Sequence, residues 1–292
     1  MKSKKIAPPQ PPVTLEAKVG TTKIESIHVN KVYHGRRGDI TAMKDCNLQI
    51  LENEFVSIVG PSGCGKSTLL RMLAGLDFPT GGAIVIDDRS VTGPGKDRGM
   101  VFQTYTLFPW KTVEKNIRFG LQLNKVPKEE QNRVTEKYLG LIGLTEFRNS
   151  YPKELSGGMK QRVAIARSLA NNPEVLLMDE PFGALDPQTK ASMQLMLRHI
   201  WQEEKPTIAF VTHDIEEAVF LSTKIYVMSA RPGTVKEVVD VFLPYDRTLE
   251  LKDTSEFIKI RRYVANLLDK QEMCIRDRNN PLSARAAADK YG

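Results

Sequence analysis

Three observations in this 292-residue sequence predict an α/β fold: a buried parallel sheet, an antiparallel β subdomain ahead of it, and an inserted helical subdomain. The first is Phe55-Val56-Ser57-Ile58-Val59, a β-branched apolar run that leads into Gly60-Pro61-Ser62-Gly63-Cys64-Gly65-Lys66-Ser67-Thr68, a G-x-x-x-x-G-K-[ST] loop. The second is a pair of continuous apolar runs, Val175–Met178 and Ile208–Val211, as expected for parallel strands covered on both faces. The third is a change to helical spacing over residues 104–170, between the loop and those runs.

The loop is the centre of the chemistry. Gly60, Gly63 and Gly65 let the backbone turn its N–H groups inward around a phosphate chain. Lys66 supplies a point charge for the β/γ-phosphates, and the Ser67 hydroxyl suits Mg²⁺. Leu69, Leu70, Met72 and Leu73 then carry helical spacing, so a helix N-terminus points at the phosphates, with Gly75 as its C-cap. Cys64 lacks a His–carboxylate partner nearby and reads as a space-filling residue of the loop, one whose alkylation should block the site.

Taken in order, residues 1–23 (Pro8, Pro9, Pro11 and Pro12 among five lysines) read as a disordered tail, and structure should begin near Ile24. Alternation through Ile27, Val29, Cys46, Leu48 and Ile50 predicts half-buried antiparallel strands, with Val32-Tyr33-His34-Gly35 as a loop between them. Ala83–Ile86 with Asp87-Asp88 predicts a further strand and its turn. Helices are expected over 113–123, 128–141 and 156–170. Asp186 and Pro187 form an N-cap and N1 pair for a helix whose face carries Met193, Met196, Leu197, Ile200 and Trp201. Strand patterning returns over 225–243, and an amphipathic helix over 254–268 closes a domain of residues 24–270. Residues 271–292 read as a tail. Within it, Met273-Cys274-Ile275-Arg276-Asp277-Arg278 is what ATG TGT ATA AGA GAC AG(A/G) encodes, a string resembling a transposase mosaic end. Residues from about 273 onward are therefore expected to be a sequence artefact, in keeping with their lack of patterning.

Composition narrows the partners. The formal charge is +7, but five lysines facing one glutamate in residues 1–23 hold most of the excess, so no basic groove for nucleic acid is expected. No window has 18 consecutive apolar residues, the Pro-rich start cannot serve as a signal h-region, and three cysteines make no disulfide framework. The expected location is cytoplasmic.

Two further motifs specify the use of the nucleotide. Asp179 and Glu180 end the Val175–Met178 run, at the sheet edge where ligands of open α/β folds gather. Asp179 can hold Mg²⁺, and Glu180 can polarise the attacking water. In Leu155-Ser156-Gly157-Gly158-Met159-Lys160-Gln161-Arg162, Ser156 can N-cap a helix whose first amides Gly157 and Gly158 leave bare.

With these motifs the chain resembles the ATP-binding subunit of an ABC transporter over roughly residues 24–268, a P-loop ATPase. Residues 60–68 match its Walker A motif, 155–162 its signature motif and 175–180 its Walker B motif. The resemblance implies that Gln103 is the Q-loop residue that senses Mg²⁺ and the γ-phosphate, and that His213 in Val211-Thr212-His213-Asp214 is the switch histidine. It further implies that Asp186 in Ala184-Leu185-Asp186 belongs to the D-loop and that Tyr33 stacks on adenine. Leu107–Val113 and Ser229-Ala230-Arg231-Pro232-Gly233 are similar to the nitrate/sulfonate/taurine importer branch. Asn53 stands where relatives usually carry Gly; asparagine tolerates the left-handed conformation, so that turn should survive. Trp110 beside Pro109 reads either as a docking anchor or as core.

The resemblance implies ATP and Mg²⁺ as ligands and two copies clamping each ATP between the P-loop of one and Ser156-Gly157-Gly158 of the other. It also implies integral-membrane permease subunits, indirectly a solute-binding protein, and a peripheral position on the cytoplasmic face of the cell membrane. The alternatives are a soluble ABC ATPase not coupled to transport, against which stand the single P-loop and the absence of sustained heptads, and a regulatory ATPase that has lost turnover, against which stand Lys66, Asp179, Glu180 and His213.

Overall fold

The chain enters its first strand at Thr22, close to the expected start near Ile24. A computed structural model of the chain describes residues 20–35 and 38–279, with side chains through Asp269. β1 (Thr22–Gly35) and β2 (Gly38–Leu51) pair antiparallel to their ends, with Val32, Tyr33 and His34 opposite Thr41, Ile40 and Asp39. Val32–Gly35 is thus strand and not the expected loop. Lys23, counted with the basic tail, is buried: its ammonium lies 2.8 Å from Asp87 and also pairs with Glu174. Two carboxylates are the compensation that lets this charge leave water. Residues 1–19 of the expected tail lie outside the described residues.

Asn53 takes φ 61°, the conformation its turn requires, and delivers the chain into β3 (Phe55–Val59). The glycine-rich loop follows and leads to α1 (Lys66–Leu73). β4 (Gly81–Ile86) and β5 (Arg89–Ser90) form a hairpin through Asp87 and Asp88, both at positive φ as a two-residue turn demands. These strands complete an antiparallel sheet in the order β2-β1-β4-β5.

β6 (Arg98–Val101) is followed by the helical stretch: α2 (Val113–Leu123), α3 (Lys128–Leu141) and α4 (Gly157–Leu169), with no strand before β7 (Val175–Asp179). Thr112 and Ser156 cap α2 and α4 through their hydroxyls. Fully buried Asn116 ties down the segment before α2, accepting from Phe108 N at 2.9 Å and donating to Lys111 O at 2.9 Å. Trp110 is 71% exposed against Phe108, which removes the core reading.

The remaining elements are α5 (Pro187–Glu204), β8 (Thr207–Val211), α6 (Ile215–Leu221), β9 (Lys224–Met228), β10 (Val235–Asp240) and α7 (Ser255–Asn279). α7 runs past the expected end of the domain at residue 270. Its sequence offers no Gly or Pro to stop it before Pro281. Residues 280–292 of the expected tail lie outside the described residues.

The larger sheet has the order β10-β9-β3-β8-β7-β6, parallel except for the β10 edge. Side chains alternate between two apolar cores. Phe55, Val59, Leu176, Met178, Ile208 and Phe210 enter the one shared with α2–α5; Val56, Ile58, Val175, Leu177, Ala209 and Val211 enter the one under α1 and the antiparallel sheet. Both faces are covered, which is why these strands appear as unbroken apolar runs. Because β3, β6, β7 and β8 are parallel and in register, their carboxyl ends deliver the glycine-rich loop, Gln103, Asp179-Glu180 and His213 to one edge.

Candidate nucleotide site

At that edge a cavity of about 390 Å³ opens, lined by Ala42, Ser62, Gly63, Gly65, Lys66, Ser67, Thr68, Glu180 and His213. Gly63 (φ 72°) and Gly65 (φ 97°) hold the loop in a left-handed course that a side chain would strain, and Gly65 is the N-cap of α1. Lys66 Nζ donates to the carbonyls of Gly60 at 2.8 Å and Pro61 at 3.2 Å. The loop therefore positions its own cation before any phosphate arrives.

Ser67 Oγ donates to Asp179 Oδ1 at 2.9 Å. Burial pushes the Asp179 carboxyl up, the Ser67 hydroxyl pulls it back, and neighbouring Glu180 raises it further. A hard divalent cation would relieve this desolvated oxygen pair. Among the described residues no three His, Cys, Asp or Glu side chains converge as a cage, so such a cation would complete its shell from phosphate and water. The residues present fit Mg²⁺ bound together with a nucleotide.

Glu180 takes φ 44°, a conformation costing a non-glycine residue of order 1–2 kcal/mol. Its amide donates to Val211 O at 2.9 Å, and its Oε2 lies 2.9 Å from His213 Nδ1. The strained turn aims the carboxylate along the cavity wall toward the histidine.

The other expected site residues lie outside this wall. Gln103 is exposed two residues beyond β6. Tyr33, on β1, donates its hydroxyl to Asp77 Oδ2 at 2.8 Å and carries Lys31 Nζ over its ring at 4.9 Å. The Asp186 carboxylate caps α5 by accepting from Thr189 N at 3.0 Å, and the Thr189 hydroxyl, with that amide, holds its carboxyl below the usual range. Ser156 accepts from Met159 N at 3.3 Å. A Cβ on Gly157 would sit 2.8 Å from Tyr105 Oη, and one on Gly158 2.5 Å from Thr189 Cγ2. Within one chain, then, close packing against α5 requires a glycine at 158, while at 157 the close atom is the movable end of Tyr105.

Cys64 is fully buried under the loop, and burial pushes its thiol up. Its Sγ lies 3.9 Å from Lys66 Nζ, so a group attached there would disturb the loop lysine, while burial restricts the reagent's access. N-ethylmaleimide should leave Cys64 unmodified in the native chain and label it in denaturant; peptide mapping that found equal labelling in both would contradict this burial.

Two contributors escaped the sequence. Ala42 reaches the cavity from β2, and Arg231 Nε donates to Gly63 O at 3.3 Å from the turn between β9 and β10. Only tertiary packing brings them there, although Ser229–Gly233 had stood out as a motif.

The comparisons with known proteins follow the same lines. The family described as ABC transporter matches residues 43–183. The chain is 52% identical over 255 residues to a nitrate import ATP-binding protein of Synechocystis, covering 85% of this chain and 96% of that one. It is 47% identical over 236 residues to an aliphatic sulfonates import ATP-binding protein of Bacillus cereus, covering 81% and 92%. A dimeric ATP-binding cassette in a post-hydrolysis state, bound to ADP and Pi, superposes with a TM-score of 0.67 at 35% identity, covering 76% of this chain and all of that one. Identity at this level over most of both chains, on top of the geometry of the loop, Asp179, Glu180 and His213, places the chain in the ABC transporter family as one of its ATP-hydrolysing subunits.

Proposed function

We propose that two copies of this chain power an importer of a small anion by closing on two MgATP and reopening after hydrolysis. The observation that carries this reading is the division of the site. The cavity is walled by Ser62, Gly63 and Gly65–Thr68 of the P-loop, while Ser156-Gly157-Gly158, a helix start suited to phosphate, lies outside it on the same chain. A second copy facing the first head to tail would supply that missing wall, and the similar cassette bound to ADP and Pi is dimeric.

In this reading Lys66 and the loop amides bind the phosphates, and Glu180 accepts the proton of the attacking water while His213 orients the carboxylate through their 2.9 Å contact. Ser67 and Asp179 would hold Mg²⁺, which would supply charge neutralisation on the β/γ-phosphates. Gln103 would be a further contact for that cation, Asp186 would meet the partner copy, and Tyr33 would stack on adenine once its side chain turns from Asp77. The ATPase is proposed to lie on the cytoplasmic face of the membrane beneath permease subunits fed by a solute-binding protein, with no role for nucleic acid. Among the described residues no helix is long and apolar enough to cross a membrane, so spanning partners would carry the solute path. The names of the relatives favour nitrate or an organic sulfonate as the solute class.

Affinity purification of the tagged chain from membranes of its source cells tests this. A co-purifying multi-span membrane protein that stimulates its ATPase is expected. A fully active chain found only in the soluble fraction, with no such partner, would favour the soluble ATPase instead.

A further inference from the structure

His213 hangs from a turn whose polar groups face the protein interior. Thr212 and Glu217 are each only 2% exposed. Thr212 Oγ donates to Glu217 Oε2 at 2.7 Å and accepts from Asp214 N at 3.0 Å. Asp214 Oδ1 accepts from Glu216 N at 2.9 Å and Glu217 N at 3.3 Å, capping α6. One cation reaches both carboxylates: Lys190 Nζ lies 3.1 Å from Asp214 Oδ2 and 3.0 Å from Glu217 Oε1.

That cation belongs to a different element. Lys190 is in the first turn of α5, its amide bonded to Asp186 O at 2.9 Å. Asp186 ends the short segment that leaves Glu180. The contacts therefore close a ring, from Glu180 along residues 181–186 to α5, through Lys190 to Asp214, and back through His213 Nδ1 to Glu180 Oε2. Burial pushes the Glu217 carboxyl up, while Thr212 and Lys190 pull it back, so the lysine also offsets a costly buried acid.

We propose that Lys190 is a positioning residue for hydrolysis: by gripping Asp214 and Glu217 it fixes His213 against Glu180 and ties that contact to the Asp186 segment at the head of α5. A shift of α5 then moves the histidine with it, because among the described residues Lys190 is the cation that meets Asp214 and Glu217, whereas Lys252 and Arg261 hold the neighbouring Glu216. The inference rests on the roles given to Glu180 and His213 above.

Steady-state ATPase of the purified full chain, with a melting curve for each variant, tests it. Lys190→Met is expected to lower kcat about tenfold or more, as loss of an orienting partner does, with the KM for ATP within about twofold of the parent. Lys190→Arg, which can still reach both carboxylates, should restore most of the rate. Lys190→Met leaves Glu217 buried without its cation, so the double variant Lys190→Met/Glu217→Gln separates stability from positioning. It should regain the melting temperature but not kcat. In a His213→Ala background, Lys190→Met should cost nothing further. A parent-like kcat in Lys190→Met, or a kcat that recovers with stability in the double variant, overturns the inference while leaving the ATPase assignment intact. A His213→Ala chain of full activity overturns the histidine's role itself, and the inference with it.

Discussion

Glu180→Gln should bind MgATP, hydrolyse it about 10²–10⁴-fold more slowly, and convert from monomer to a long-lived dimer. The amide keeps the size of the side chain and an acceptor for the 2.9 Å contact with His213, but loses the negative charge that polarises water. Lys66, Ser67 and Asp179 are untouched, so affinity should survive. A sandwich that closes and cannot hydrolyse has no chemical route to reopen. Size-exclusion chromatography with light scattering, with and without MgATP, reads the outcome. The second half of the test lies at the α4 start. Ser156 caps that helix, so a bulky replacement would confuse loss of the cap with loss of the phosphate contact. Ser156→Asp keeps a capping oxygen but aims a carboxylate at the phosphate, and should abolish the ATP-induced dimer at unchanged melting temperature. A Glu180→Gln protein that remains monomeric, or a double variant that still dimerises, would sink the composite site.

Lys66→Ala is expected to reduce single-turnover hydrolysis by at least about 10²–10³-fold, the loss typical of one preorganised donor to developing charge. Two losses combine in it. The phosphate loses its cation, and the loop loses the bonds from Lys66 to Gly60 and Pro61 that hold its mouth in shape. The fold should persist, because α1 is anchored by Leu69, Leu70 and Leu73, all fully buried on its other face. A melting temperature near that of the parent, alongside lost turnover, is the expected pair of readings. Hydrolysis at the parent rate would remove the P-loop assignment.

The parts legible in the sequence were those written locally. An unbroken apolar run means a strand with two covered faces, and β3, β7 and β8 have that form. A left-handed turn shows in the residue that tolerates it, as at Asn53. Capping shows in Ser156 and Asp186, whose side chains accept from amides three residues on. What escaped depends on partners distant in sequence. Val32–Gly35 looks like a loop until Thr41, Ile40 and Asp39 are set opposite it. Lys23 looks like tail until Asp87 and Glu174 meet it. The site divides in the same way. The motifs named Lys66, Ser67, Asp179, Glu180 and His213, while the burial of Cys64 and the reach of Arg231 and Lys190 came only with packing.

The position of β3 also bears on how the chain is made. Its two neighbours in the sheet are β8 and β9, residues 207–211 and 224–228, so the strand that feeds the glycine-rich loop leaves the ribosome long before either edge can be paired. Until β8 has emerged, Phe55–Val59 presents bare backbone donors and acceptors on both sides, and one side stays bare until β9 follows; its five residues end fully buried. A nascent chain stalled before residue 207 would thus expose a sticky strand and carry no competent loop. Nucleotide can act as a ligand of folding only after β8 and β9 have been translated, and chaperone dependence should fall sharply at that point.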